Sequence, residues 1–431
     1  MFKNEVYVNK MLEDTIYMQE LECGLKVYVC PKKNFNKYLG MFGTVFGSID
    51  NYIINQDNEE IKLPDGVAHF LEHKLFEQEG ENALDLFAKE GVNANAYTSY
   101  DHTVYSFETV EDVNKSIEML IKMVRTPYFT DDNVEKEKGI IAQEINMYKD
   151  DPNWQVYLNV IKALYSKHPI NIDIAGSVAS IKKINKEILY AAYNNYYSLN
   201  NMFFIVVGDV EKDNIFKLVD NEVRKYNYKE SIKQAKKIKN INEPLKINKN
   251  EIIETADIYI PKLYIGYKLN PLQGDENIKR NIAILLIEDL YFSKLSEFYN
   301  ENYNKGYINE AIDVRNEFGS TYSFLTLGIS CFNPNQIKEK LLKYIEEIKT
   351  KEIIQSDFEV FKRKHIGSLI YSYEDLEEYC EEIIGSIIMQ TKPFKVFDII
   401  NEIDSKYIKE TLNVLFNPEN LSISIVNSIN A

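Results

Sequence analysis

Two periodicities follow one another along the chain, and their order is used twice. Thr15 to Leu21 and Leu25 to Cys30 alternate between apolar and polar residues around Cys23-Gly24, which predicts a hairpin, and Gly40 to Ile49 predicts a third strand. A short helix over Asn82 to Glu90 leads into Asn93 to Thr98 and Thr103 to Thr109, two runs rich in aromatic and β-branched residues that read as strands. Helical spacing returns over Asp112 to Arg125. Thr130-Asp131-Asp132 caps a long helix to about Tyr148, Asp151-Pro152 breaks it, and Asn153 to Tyr165 resumes. Lys186 to Tyr197 is predicted helical and Asn201 to Val210 a buried strand.

From Tyr226 to about Asn250, lysines, asparagines and glutamates replace the apolar periodicity, so residues 226–250 are expected to link two domains, 1–225 and 251–431. The second half opens with strands over Ile252 to Ile260 and Lys262 to Lys268 and a helix over Asn277 to Glu301. Strands over Ile312 to Val314 and Ser323 to Cys331 precede helices over Asn335 to Lys349, Gln355 to Gln390 and Lys406 to Phe416. The closing run Asn420 to Val426 echoes Asn201 to Val207, each following a helix and a short Asn-containing turn. Such agreement points to an internal duplication of about 200 residues, far longer than a solenoid repeat. Hairpins alternating with helices define an α+β class rather than a strictly parallel sheet.

Composition narrows the functional classes. A chain of 431 residues, 45% of them apolar, exceeds what one hydrophobic core usually covers and can build two. Lys+Arg total 50 against 66 for Asp+Glu, and the resulting charge of −16 opposes nucleic acid and anionic membrane. The opening Met1 to Tyr7 has no basic segment before an apolar one, and no apolar run approaches membrane-spanning length, so a soluble cytoplasmic protein is expected. Cys23, Cys30, Cys331 and Cys380 lack close paired spacing and read as reduced thiols filling small core positions.

The candidate chemistry lies in His69-Phe70-Leu71-Glu72-His73. Imidazoles four residues apart on a helix lie one turn above each other, so both can reach one metal ion. Val67, Phe70, Leu71 and Leu75 gather on one side of this helix, and His69, Glu72, His73 and Phe76 on the other, with Asp65 the expected N-cap. Neutral imidazole is the commonest zinc ligand, and a carboxylate beside the pair can take a proton from metal-activated water without binding the metal. That is a hydrolase arrangement, and His-x-x-Glu-His is the inverse of His-Glu-x-x-His.

A third ligand is expected from the helix after Thr130. Its apolar stripe is Val134, Ile140, Ile141, Ile145 and Tyr148, and Glu137 and Glu144 fall inside it while Glu135, Lys136 and Lys138 lie outside. A carboxylate facing a core is costly unless a cation or donor meets it, although a long side chain can also reach past the stripe to solvent or a lysine. Glu144 is therefore the expected third ligand, and Glu137 the group that orients a ligand.

These residues resemble the pitrilysin/insulinase family of zinc peptidases, in which His-x-x-Glu-His is followed some seventy to eighty residues later by a ligating glutamate. The resemblance extends to Asn93 to Ser99 and Glu135 to Glu144, and to the two-half layout, and is nearest to small bacterial members about half the length of insulinase. It implies two homologous α+β domains, each an antiparallel sheet packed against helices, with zinc on His69, His73 and Glu144 and Glu72 as general base. It further implies an extended peptide substrate added as a strand beside Asn95 and Ala96.

One departure concerns a family arginine and tyrosine, seven residues apart, that reach the substrate carbonyl from the later half. The corresponding Phe298 to Asn309 contains no arginine. Tyr307 is the retained tyrosine if Gly306-Tyr307 aligns with the family's Gly-Tyr, whereas a shorter turn places Asn309 there. Two readings follow: an active zinc endopeptidase, and an auxiliary or non-catalytic subunit of a peptidase pair. The resemblance also implies a closed chamber built from two such chains, a homodimer or a heterodimer with a homologous chain.

Overall fold

The computed structural model describes residues 3–54, 59–226 and 241–429. Its strands form two large sheets. In spatial order the first runs Asn4–Asn9, Asp14–Glu20, Lys26–Pro31, Met202–Gly208, Tyr38–Thr44, Thr103–Thr109, Asn93–Thr98. The second runs Glu251–Ala256, Leu421–Ser428, Lys262–Lys268, Ser323–Ser330, Asp313–Phe318. In each half the last strand inserts between a parallel and an antiparallel neighbour. Met202–Gly208 lies between Lys26–Pro31 and Tyr38–Thr44, and Leu421–Ser428 between Glu251–Ala256 and Lys262–Lys268. Both sheets are thus antiparallel except for one pair, because each inserted strand returns from a helix rather than a tight turn. The shared topology carries the duplication into three dimensions.

Each sheet keeps its own helices on one face. Val27, Val29, Phe42, Phe107 and Phe204 meet helices Val67–Leu75, Val113–Arg125 and Lys186–Tyr196. Leu263, Ile265, Leu327 and Ile425 meet Gly274–Tyr291, Pro334–Thr350 and Ser405–Leu415. The opposite faces are covered by exchange. Tyr28, Met41, Phe203 and Ile205 of the first sheet pack against Tyr379, Cys380, Ile383 and Ile384 of helix Leu376–Ile388. Tyr264, Phe324 and Val426 of the second sheet pack against Val156, Tyr157, Val160 and Ile161 of helix Pro152–Leu164. Each large side chain fully buried this way contributes roughly 1.5–3 kcal/mol, so neither sheet is complete without the other half.

The exchange explains where the sequence reading departs from the fold. The single helix expected over Gln355 to Gln390 is two, Gln355–Ser372 and Leu376–Ile388. Asp375 caps the second, its Oδ1 accepting the N–H of Glu377 and Glu378 at 2.8 and 3.0 Å, and this turn sends the apolar stripe across to the first sheet. The helix expected over Asn277 to Glu301 is likewise Gly274–Tyr291 and Glu297–Asn304, with Ser296 capping the latter. Strand Asn4–Asn9 and helices Lys212–Val223 and Lys395–Glu402 are additions to the expected elements.

Of the expected linker, residues 227–240 lie outside the described residues. Beyond them Glu243 is held firmly, accepting the N–H groups of Ser166, Lys167 and His168 at 3.1, 2.8 and 2.8 Å and pairing with Lys268 at 2.6 Å. All four cysteines are buried free thiols, and no described helix is long and apolar enough to cross a membrane.

Candidate active site

The histidine motif lies on helix Val67–Leu75, whose start differs from expectation. The N-cap is Gly66, at φ 90°, and Asp65 makes no capping bond. A Cβ on Gly66 would lie 2.4 Å from the Ala175 carbonyl oxygen, and one on Gly176 would lie 2.4 Å from that of Asp65. Two backbone segments therefore cross at a contact, and at positive φ, that glycine alone accommodates. Val67, Phe70, Leu71 and Leu75 are buried as the wheel requires. Phe76 instead turns inward, its ring 6.1 Å from Tyr105, because the helix has already ended. Lys74 is 0% exposed: its ammonium pairs with Glu77 and donates to the Asn133 carbonyl at 3.3 Å. That contact ties the motif helix to the first turn of helix Asp131–Lys149.

Helix Asp131–Lys149 starts with a capping box between Thr130 and Asn133. Its buried stripe is narrower than predicted. Val134, Glu137 and Ile141 are buried and Ile145 half-buried, but Ile140 and Tyr148 are exposed, since the helix is covered along one edge only. Glu137 and Glu144 point toward the histidines. His69 Nε2 lies 3.5 Å from one Glu144 oxygen and His73 Nε2 3.6 Å from the other. His73 Nδ1 meets the Glu137 carboxylate at 3.0 Å.

Three donor atoms, one each from His69, His73 and Glu144, lie within 4.8 Å of one another. Spacings of 3.5 and 3.6 Å match two ligands of one tetrahedral site with bonds of about 2.0–2.2 Å, so the donor set fits a divalent cation such as zinc. On His73 burial opposes the positive charge, but the hydrogen bond to Glu137 and the charges of Glu72, Glu137 and Glu144 outweigh it and raise the pKa. The Glu144 carboxyl is held below its usual range by its hydrogen bond to His69, against burial and together with the charges of both histidines. Glu72, Glu137 and Glu144 thus favour positive charge where the three donor atoms converge.

Glu72 stands beside this group, buried, and its Oε2 accepts the Thr98 hydroxyl at 2.6 Å. Thr98 ends the strand Asn93–Thr98, which is the sheet edge and has a partner on one side only. Asn95 is exposed on that strand, with its Oδ1 accepting the Ala96 N–H at 2.9 Å, while Ala94 and Ala96 face the core. Thr98 escaped the sequence reading as a partner of Glu72, although it lies inside the quoted motif, because a strand threonine carries no signal of its own. The half-buried ring of Tyr307 packs on the second half's core, with Lys340 Nζ 5.1 Å from the ring centre.

Residues 56–178 match the family model for insulinase, peptidase family M16, and residues 183–364 match that for the peptidase M16 inactive domain. The chain belongs to peptidase family M16. A Bacillus subtilis protein named as an uncharacterized zinc protease, YmfH, is 35% identical over 414 residues, 94% of each chain. The crystal structure of an M16-like protein from Alicyclobacillus acidocaldarius superposes with a TM-score of 0.89 at 26% identity, covering 99% of this chain and 98% of that one. The periplasmic protease PqqL of Escherichia coli superposes with a TM-score of 0.74 at 18% identity, over 96% of this chain and 48% of that chain.

Proposed function

We propose that this chain is a zinc-dependent endopeptidase acting on extended peptides or unstructured segments. The observation that supports the reading is the convergence of His69, His73 and Glu144 beside a held carboxylate, Glu72. The zinc protease name of the Bacillus relative agrees with it. Zinc held by this set supplies Lewis acidity toward a peptide carbonyl and lowers the pKa of water toward neutrality. Glu137 fixes His73 with its proton on Nδ1, which leaves the Nε2 lone pair for the metal. Glu72 takes the proton of the attacking water and returns it to the leaving amine, and Thr98 holds it in place for both transfers. The open edge of Asn93–Thr98, at Asn95 and Ala96, receives the substrate as an added strand. Glu72→Gln should retain zinc, measured by metal analysis, and abolish peptide cleavage. Lost zinc or undiminished turnover would contradict the assignment.

A second reading, an auxiliary subunit of a peptidase pair, is favoured by the absence of arginine from residues 298–309 and by the second half's match to the inactive-domain family. We propose that the working form is a dimer in either case. Alone the chain leaves the substrate edge open to solvent. Cleavage by the pure zinc-loaded chain supports the first reading; cleavage only after mixing with a homologous chain supports the second.

A further inference from the structure

The substrate edge is held from both faces, and one of the hands belongs to the half without a metal motif. Side chains alternate along Asn93–Thr98. Ala94 and Ala96 face the first half's core, and Thr98 reaches Glu72. Tyr97 faces the other way, into the layer where helix Leu376–Ile388 covers the sheet, and its hydroxyl donates to Glu381 Oε1 at 2.6 Å. The His102 ring stands edge-on to Tyr97 at 5.6 Å, and Asp101 holds His102 at 2.6 Å. The bond from Tyr97 to Glu381 spans 284 residues of sequence and ends one residue from the threonine that fixes the proposed base. An edge strand has ladder bonds on one side only, so a charge-assisted side-chain bond adds to what holds it flat for a substrate.

We propose that Glu381 of the second half is a positioning residue for peptide cleavage, holding the substrate-receiving edge strand, and through Thr98 the Glu72 carboxylate, by accepting the Tyr97 hydroxyl. The proposal rests on the peptidase reading above. It gives the second half a task in the reaction without contact to substrate or metal. Its failure would make that half's contact with the edge purely architectural.

The test uses the full chain with zinc. Glu381→Ala and Tyr97→Phe should each lower kcat/KM for a short unstructured peptide by about ten-fold, mostly through KM, with zinc content unchanged. The double variant should lose no more than either single one, because both remove the same bond. Glu381→Gln, which keeps an acceptor oxygen, should recover most of the loss. Amide hydrogen exchange over residues 93–98 should accelerate in Glu381→Ala and Tyr97→Phe but not in Glu381→Gln. Unchanged KM and exchange in both, or a loss in Glu381→Ala that Tyr97→Phe does not share, would overturn the proposal. A wild-type chain that cleaves no peptide would instead overturn the peptidase reading. Exchange at the edge strand then still decides whether Glu381 holds it.

Discussion

Lowering the pH should loosen the two halves through one residue, His168. It is 1% exposed and lies at their junction, between the rings of Tyr165 and Tyr322 at 5.8 and 5.7 Å. Its Nδ1 accepts the Ile170 N–H at 3.1 Å, so the neutral ring carries its proton on Nε2, which donates to the Thr321 hydroxyl at 2.9 Å. Burial pushes its pKa down to about 4, with Glu243 opposing and Lys268 reinforcing the shift. The unfolded value is 6.5, so the unfolded chain binds the extra proton between these limits. The neutral histidine's contribution is therefore complete above pH 6.5 and is lost as pH falls toward and through 4. The move from 6.5 to about 4, at about 1.36 kcal/mol per pH unit, is worth roughly 3 kcal/mol, most of which has gone at pH 4.5. Urea unfolding of wild type and His168→Asn, compared from pH 7.5 to 4.5, isolates this share. Asparagine keeps an acceptor for Ile170 but does not titrate, so the variant's stability should fall by roughly 2–3 kcal/mol less over that range. Parallel pH profiles for the two proteins would refute the reasoning.

Other outcomes follow from the site. Glu137→Ala should weaken zinc binding about 10–100-fold without touching the other donors, as read by chelator competition. Because the His73 pKa is raised, zinc affinity should start to fall at a pH above the ordinary imidazole range as pH is lowered, and Glu137→Gln should move that onset to lower pH; a common onset would count against the pair. Gly66→Ala should destabilise the chain by about 2–4 kcal/mol and lower zinc occupancy, since a Cβ there meets the Ala175 carbonyl at 2.4 Å; a melting temperature equal to wild type would exclude the crossing as described. Light scattering should give two chains per particle, with specific activity falling on dilution; a fully active monomer would rule the dimer out. With a net charge of −16, basic peptides should be cleaved faster than matched acidic ones at low salt, the difference shrinking as salt rises.

What could be read from the sequence was local. His69, Glu72 and His73 share a helix, so spacing alone brought them together. Glu137 and Glu144 betrayed themselves as carboxylates among apolar neighbours at helical spacing. The strands Asn93–Thr98 and Thr103–Thr109 were legible from composition, and their limits match the fold. Contacts between distant segments left no trace. Thr98 meets Glu72 across 26 residues, and Glu381 meets Tyr97 across 284. The cap at Gly66 depends on Ala175 and Gly176, which no local pattern connects to it. The break at Tyr373-Glu374-Asp375 has neither proline nor glycine, so helical periodicity ran straight through it.

The exchanged helices also set a timetable for synthesis. The first sheet has all its strands once Gly208 is made, yet the helix that covers its outer face is not finished until Ile388, 388 minus 208 or 180 residues later. At ribosomal speeds of 5–20 residues per second this is a wait of roughly 9–36 s. Throughout it Tyr28, Met41, Phe203 and Ile205 lie on an apolar surface without its cover. A ribosome stalled in the second half should therefore release a fragment whose first sheet lacks the cover of that helix rather than a finished first domain.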